Sequence, residues 1–310
     1  MKNISVVIPV YNSSEILPKL ISELETVLIS CTNKHQIILV NDCSKDNSWQ
    51  IILNLTKQYS FIKGINLMKN YGQHNAILCG INNADYEYII TMDDDLQHPP
   101  KEIPNLLEKL SEDIDVVYGI PKANAHNSWR NLSSKVSHFL FKKLTANSVS
   151  KDISAFRAFK TELRKAFENY NGRYVSVDML LTWGTNKFEN IEVEHNKRFT
   201  GKSNYTFRKL VSYATNLFTS FSALPLQVAS ILGFIFTLFG IVIFGYVMVN
   251  YFVTDGAIKG FTFLAATIAI FSGIQLFVLG ILGEYISRIH FRSMKEPYYV
   301  IKNIIEDKKP

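Results

Sequence analysis

The sequence predicts an α/β domain built on a mostly parallel sheet, followed by an interfacial amphipathic helix and a two-helix transmembrane hairpin. Three observations predict it. Short apolar, β-branched runs alternate with segments of helical period over residues 4–118, the pattern of parallel strands joined by right-handed crossovers. Each early run ends in polar or acidic residues, as strands do at the ligand-binding edge of such sheets. Finally, Leu210–Val253 and Phe261–Gly283 contain no charged residue, and each is long enough to hold the roughly 20 residues with which a helix crosses a bilayer. With 310 residues, 47% hydrophobic and 19% charged, the chain is not of the disordered class.

The elements follow in order. Ile4-Ser5-Val6-Val7-Ile8 is a buried strand, and Pro9-Val10-Tyr11-Asn12 turns the chain out of it. A helix from about Ser14 carries Leu17, Leu20, Ile21, Leu24 and Val27-Leu28 at helical spacing. Gln36–Val40 is the second strand, closed by Asn41-Asp42-Cys43-Ser44-Lys45-Asp46, and the helix after it carries Trp49, Ile52, Leu53 and Leu55. Phe61–Met68, Gln73–Ile81 and Tyr86–Met92 continue as strand, helix and strand. A helix beyond Pro104 leads to a strand at Asp115–Tyr118, and Trp129–Leu144 is an amphipathic, core-packing helix. Asp42, Asp46, Lys69-Asn70 and an acidic run at 93–95 thereby fall at one edge of the sheet.

That acidic run, Asp93-Asp94-Asp95-Leu96-Gln97, follows the apolar Ile89-Ile90 and is stopped by His98-Pro99-Pro100. Carboxylates packed this closely repel one another unless a cation or hydrogen-bond donors compensate. On extended chain Asp93 and Asp95 point the same way, Gln97 is in step with them, and Asp94 lies off that line. Two carboxylates and an amide oxygen suit a hard divalent ion, Mg2+ or Mn2+, whose remaining positions go to water and phosphate oxygens. A solvated acidic turn or a helix cap before Pro99 would read the same residues more simply; the coincidence of four polar strand tips weighs against it.

Phe207, Leu210-Val211, Ala214, Leu217-Phe218 and Phe221 recur at helical spacing with polar residues between them, an interfacial helix over 206–224. Pro225 separates it from transmembrane helices expected at about 226–252 and 261–283, within a hairpin of residues 225–285. Residues 1–205 are then a cytoplasmic domain and 286–310 a cytoplasmic basic tail. Lys197, Arg198, Lys202, Arg208 and Lys209 precede the hairpin, and Arg288, Arg292 and Lys295 follow it. Such flanks place both termini in the cytoplasm, against anionic lipid. The net charge of +6 is thereby accounted for, and nucleic acid is not an expected partner. Met1-Lys2-Asn3 leads directly into a strand without a signal-peptide pattern. Cys31, Cys43 and Cys79 lack metal-ligand spacing, and the seven histidines form no H-E-x-x-H, so zinc chemistry is not expected. Gly201-Lys202-Ser203 lacks the strand–helix context of a phosphate-binding loop.

Read together, Pro9-Val10-Tyr11-Asn12, Asn41 to Asp46, Asn70-Tyr71-Gly72-Gln73-His74, Asp93 to Pro100, Arg198 to Tyr205 and Gly280 to Ile286 resemble the family 2 glycosyltransferases, whose fold is the Rossmann-like GT-A fold. The narrower resemblance is to polyprenyl-phosphate glycosyltransferases, which include dolichol-phosphate mannose synthases and bacterial undecaprenyl-phosphate enzymes of the bactoprenol glucosyltransferase and aminoarabinose transferase types. The resemblance implies inverting transfer of a sugar from a nucleotide-sugar, UDP-linked in the first instance, to undecaprenyl phosphate at the cytoplasmic face of the inner membrane. It also implies roles for residues. Pro9, Tyr11, Asn12, Asp42, Asp46, Lys69, Asp93 and Asp94 would meet the nucleotide-sugar, and Asp93, Asp95 and Gln97 the metal. Arg157, Arg198, Lys202 and Ser203 would cradle the lipid phosphate. Asp152 and Asp94 would serve the transfer, Asp152 by orienting the acceptor or as a base. By the resemblance, the chain departs from the family at Ser13, where Glu is usual, and at Asn41-Asp42-Cys43-Ser44, where an Asp-Asp-Gly-Ser turn is common; both changes touch the nucleotide pocket.

Two other functions fit parts of the pattern. A membrane polysaccharide synthase would usually carry Q-x-x-R-W, which is absent, and more spans. A non-catalytic nucleotide-sugar-binding scaffold would not need the Asp93/Asp95 pair. A homo-oligomer such as a tetramer would assemble a larger membrane bundle from two spans per chain.

Overall fold

The computed structural model describes residues 2–122, 153–170, 175–196, 223–253 and 260–306. It divides into two compact units, one of Met1–Val211 with Pro297–Pro310, the other of Ser212–Glu296.

The first unit is an eight-stranded mixed sheet among the described residues, in the order β7-β5-β6-β4-β1-β2-β3-β8. Its centre is parallel: β1 (Lys2–Val10) lies between β2 (Thr32–Asn41) and β4 (Tyr88–Thr91), and β3 (Ile62–Leu67) pairs with β2. Three helices make the crossovers, α1 (Leu17–Cys31), α2 (Ser48–Gln58) and α3 (Gln73–Asn82). Val6, Ile8 and Val10 pack with Leu17, Leu20 and Leu24 of α1 in the main core. On β1 the alternate residue Val7 meets α3 so closely that a Cβ on Gly80 would lie 2.2 Å from its side chain. A sheet covered on both faces explains why these strands are continuous apolar runs rather than alternating ones.

Beyond β4 the sheet departs from simple alternation. After α4 (Ile103–Lys109) and β5 (Val116–Pro121), the short strand β6 (Arg157–Lys160) inserts antiparallel between β4 and β5. After α5 (Val177–Leu181), β7 (Phe188–Val193) closes that edge parallel to β5. The expected helix at 129–144 lies outside the described residues.

Part of the segment expected as a basic tail, 286–310, is regular structure. Helix continues through its first residues, and Ile301–Glu306 forms β8, antiparallel to β3. The physical reason is the open edge of β3, whose unpaired backbone groups β8 satisfies. The half-buried Glu306 approaches Lys63 of β3 at 3.6 Å, and Lys63 also pairs with Asp85 at 2.9 Å.

The second unit contains α6 (Leu224–Val253) and α7 (Phe261–Ser293). Leu224–Asn250 and Ile270–Ser293 have mean hydropathies of 2.5 and 1.6. Large apolar side chains such as Phe234, Val242 and Phe252 (74%) are exposed, a surface suited to burial in lipid. The protein is thus membrane-associated. Pro225 sits in the first turn of α6, where its missing N–H costs nothing. At 33 residues α7 is about 50 Å long and outruns the roughly 30 Å hydrocarbon layer. Its last turns carry an Arg288–Glu284 pair at 2.6 Å. The interfacial helix expected at 206–224 lies almost wholly outside the described residues.

Candidate active site

The chain runs from β1 outward to β2 and β3, then returns to place β4 on the other side of β1. The strand order therefore reverses between β1 and β4. A crevice opens at the carboxyl ends of strands at such a reversal, the usual place for a ligand in open α/β sheets.

Four loops meet at this edge. In the loop after β1, the backbone N–H of Asn12 donates to Ser44 Oγ at 3.0 Å, and Asn12 Oδ1 accepts from the Lys45 N–H at 2.8 Å. The Ser13 N–H donates to Ser48 Oγ at 2.9 Å, and the Ser14 N–H to Asp46 Oδ2 at 3.0 Å. Asp46 also accepts from the Ser48 hydroxyl at 2.6 Å. Burial would raise its pKa, but these hydrogen bonds from Ser48 and Ser14 outweigh burial and lower it. Asp42 is buried, and its two oxygens accept the N–H groups of Tyr71 (2.7 Å) and Gly72 (2.8 Å), fastening the loop after β3. Burial raises its pKa against those two donors. Asp42 and Asp46 thus tie together the loops after β1, β2 and β3, while Tyr11, beyond Pro9 at the end of β1, is 45% exposed. Lys69 is exposed, with its ammonium 5.0 Å from the centre of the Tyr71 ring.

The acidic loop does not continue as extended chain. β4 stops at Thr91, Asp94 and Asp95 form a turn, and Leu96 takes a left-handed φ of 55°. The common direction of Asp93 and Asp95 therefore no longer follows from strand alternation. Each carboxylate instead has its own tie: Asp93 accepts from Gln73 Nε2 (2.6 Å), Asp94 from the Tyr11 N–H (3.3 Å) and Asp95 from the Gln97 N–H (3.1 Å). Asn12 and Cys43 are also left-handed, with φ of 56° and 55°, so three of the four loops hold a non-glycine residue in a conformation that surrounding structure must enforce.

Burial pushes Asp94 up to about 6; bonds from Ser13 and Tyr11 oppose this, and the charge of Asp95 adds to it. The donors are all oxygen, which suits a hard ion. Among the described residues no group of three His, Cys, Asp or Glu side chains converges to cage an ion alone. An ion at this loop would take part of its shell from water and a phosphate ligand, as magnesium-like ions do.

Known proteins bear on this geometry. The sequence profile of Glycosyl transferase family 2 matches residues 5–169. The chain belongs to glycosyltransferase family 2. Along its full length it is 35% identical to the undecaprenyl-phosphate 4-deoxy-4-formamido-L-arabinose transferase of Photorhabdus laumondii subsp. laumondii, covering 96% of that protein. The fold is GT-A-like. Glucosyl-3-phosphoglycerate synthase from Mycobacterium tuberculosis, in complex with Mn2+, UDP and glucosyl-3-phosphoglycerate, superposes with a TM-score of 0.52 at 14% identity, over 71% of this chain and 78% of that one. Its complex with Mn2+, UDP-glucose and phosphoglyceric acid gives 0.53 at 14% identity, with the same coverages.

Arg157 of this glycosyltransferase is a correction. Expected in a cradle for the lipid phosphate, its side chain is 1% exposed and ion-paired with the buried Asp178. An Arg on a short strand between β4 and β5 points into the packing below the edge, where only a paired charge is tolerated. Asp152, Arg198, Lys202 and Ser203 lie outside the described residues. Several neighbours of the site escaped the sequence reading. Gln73 holds Asp93, and Asn196 donates its N–H to the Gln97 carbonyl at 2.8 Å and its side-chain amide to the Leu96 carbonyl at 3.5 Å. His98 stacks on Phe156 and lies 5.0 Å from His195, with burial and then His195 pushing its pKa down to about 4. The one visible signal was Asp178, a lone charge inside the apolar run Val175 to Leu181.

Proposed function

We propose that this family 2 enzyme transfers a sugar from a nucleotide-sugar, UDP-linked, to undecaprenyl or a similar polyprenyl phosphate, with inversion at the anomeric carbon. The observation that carries the reading is the 35% identity over the whole chain, hairpin included, to an enzyme named for undecaprenyl phosphate. The reaction then takes place at the cytoplasmic face of the inner membrane, with both termini on that side, as the basic flanks of the hairpin favour.

The crevice between β1 and β4 takes the nucleotide, with Pro9, Tyr11 and Asn12 on one wall and Asp93 and Asp94 on the other. Asp42 and Asp46 hold the loops that shape it, and Lys69 offers a cation to the diphosphate. Asp93, Asp95 and Gln97 would hold Mg2+ or Mn2+. A divalent ion there supplies charge stabilisation for the departing nucleoside diphosphate. The acceptor, a phosphomonoester with a second pKa near 6, is already largely dianionic at pH 7 and needs little deprotonation. Asp152 accordingly orients the acceptor, and Arg198, Lys202 and Ser203 bind its phosphate. Their place just before the membrane unit suits a headgroup ligand.

The decisive experiment offers purified full-length protein a panel of nucleotide-sugars with short- and long-chain polyprenyl phosphates. A single sugar joined to the lipid phosphate supports the reading. Polymer growth, or nucleotide binding with no turnover on any donor, would replace it by the synthase or the scaffold.

A further inference from the structure

Below the carboxyl end of β4 lies a group of buried polar side chains outside the acidic loop. Thr91 is the last residue of β4, two positions before Asp93, and is fully buried. Its hydroxyl accepts from Arg157 Nε at 2.9 Å and donates to the Ala155 carbonyl at 2.7 Å. Arg157, on β6, is ion-paired with Asp178 of α5, which is 6% exposed and also accepts the Tyr118 hydroxyl of β5 at 3.1 Å. Four elements thus meet through one threonine hydroxyl, one guanidinium and one carboxylate.

Their placement gives the group its meaning. Thr91 leads directly into the acidic loop on the donor side. Ala155 belongs to the segment that leaves Asp152, the candidate acceptor-side group, and enters β6. β4 and β6 are hydrogen-bonded only from Tyr88 and Lys160 to Thr91 and Arg157, so ladder pairing ends where the two loops begin. The side-chain bonds of Thr91 continue the connection past that point. Rearranging such a buried network is costly, because breaking any of these hydrogen bonds leaves a buried group unsatisfied.

We propose that Thr91, Arg157 and Asp178 form a positioning device that fixes the acidic donor loop relative to the acceptor-side segment 153–156. None of the three touches substrate. They act by holding two loops whose separation sets how donor carbon and acceptor oxygen align. The assignment of the two loops to donor and acceptor rests on the proposed function; the mechanical coupling does not.

The test uses full-length protein in detergent and two conservative substitutions. Thr91→Val keeps the shape and removes the hydroxyl, whereas Thr91→Ser keeps the hydroxyl. In hydrogen exchange by mass spectrometry, Thr91→Val should speed exchange about tenfold in peptides covering 92–97 and 153–156 together. Peptides of β1 and β2 should be unaffected, and Thr91→Ser should stay close to wild type. In the transfer assay Thr91→Val should lower kcat by ten- to a hundredfold at nearly constant donor KM, the cost of a slight misplacement. It should also raise the ratio of donor hydrolysis to lipid transfer. Change in neither peptide, in one alone, or across the whole sheet would overturn the proposal, as would a valine variant with wild-type kcat. Coupled exchange in a protein that transfers to no polyprenyl phosphate would leave the device standing and remove the acceptor reading instead.

Discussion

Asp94 and His98 lie four residues apart on one loop and respond to acid in opposite senses. Asp94 titrates near 6 when folded against 3.8 as its ordinary value, so between those limits the folded protein holds a proton that the unfolded chain has lost. Stability from this group therefore falls as pH rises from about 4 to 6, and above that the burial penalty is fully present. His98 titrates near 4 when folded against 6.5 ordinarily, so over that range the unfolded chain takes up a proton that the folded protein refuses, and stability falls as pH falls. Each effect amounts to about 3 kcal/mol at its limit, at 1.36 kcal/mol per pH unit. Asp94→Asn should then raise the Tm in chelator at pH 7.5 and make the loss of stability from pH 7 to 5 steeper than in wild type, while impairing transfer. A lower Tm at pH 7.5 would mean that the Asp94 charge is welcome in the fold. Asp93→Asn and Asp95→Asn should each cut transfer by about a hundredfold or more, the scale of losing one key electrostatic stabiliser, with unfolding unchanged. Normal turnover in either variant, or in excess chelator, would remove the metal from these residues. At Arg198 two roles separate in one substitution: attraction to the leaflet is about 1 kcal/mol for Arg or Lys alike, but only Arg offers a planar fork to two phosphate oxygens. Arg198→Lys should keep vesicle binding and raise the KM for lipid phosphate with donor KM unchanged; equal kinetics would reduce Arg198 to a membrane charge.

Among the elements, β8 invites the sharpest test. Removal of residues 297–310 exposes the edge of β3, separates Lys63 from Glu306 and leaves an unpaired strand as an aggregation template. The truncated enzyme should unfold several degrees lower and self-associate on size-exclusion chromatography. A monodisperse product of unchanged Tm would show β8 to be an ornament of the sheet. That strand also shows where sequence reading stops. β1 to β4 and α1 to α3 were legible because both sheet faces are covered, which writes each strand as an apolar run and each helix as a 3.6-residue period. Ile301–Glu306 and Phe188–Val193 are edge strands and mix charge into their patterns, while Arg157–Lys160 is too short to show a period. The acidic loop was legible by composition, but the turn at Asp94 was not, because a left-handed Leu96 is imposed by its surroundings rather than by its own preference. Arg157 misled for a similar reason, since a basic residue near a ligand edge looks the same in sequence whether it faces solvent or a buried partner.

At the scale of the whole molecule, the membrane unit is an insertion within the catalytic unit rather than an appendage to it, since the chain leaves the first unit near Val211 and re-enters it at Pro297. A soluble catalytic unit should therefore not be obtained by stopping at about residue 210. Replacing residues 212–296 by a flexible Gly/Ser linker keeps β8 and should yield a folded protein that binds UDP-sugar yet transfers poorly to membrane-embedded lipid. Equal rates with and without the hairpin on such an acceptor would make the spans a passive anchor. The insertion also orders events during synthesis. β3 emerges from the ribosome early, but the strand that covers its edge is translated only after both hydrophobic helices. At about 5–20 residues per second the edge waits roughly 10–50 seconds for the chain between β3 and β8 to be made. The strand that covers β3 arrives only afterwards, so completion of the catalytic fold follows synthesis of both apolar helices and can report on it.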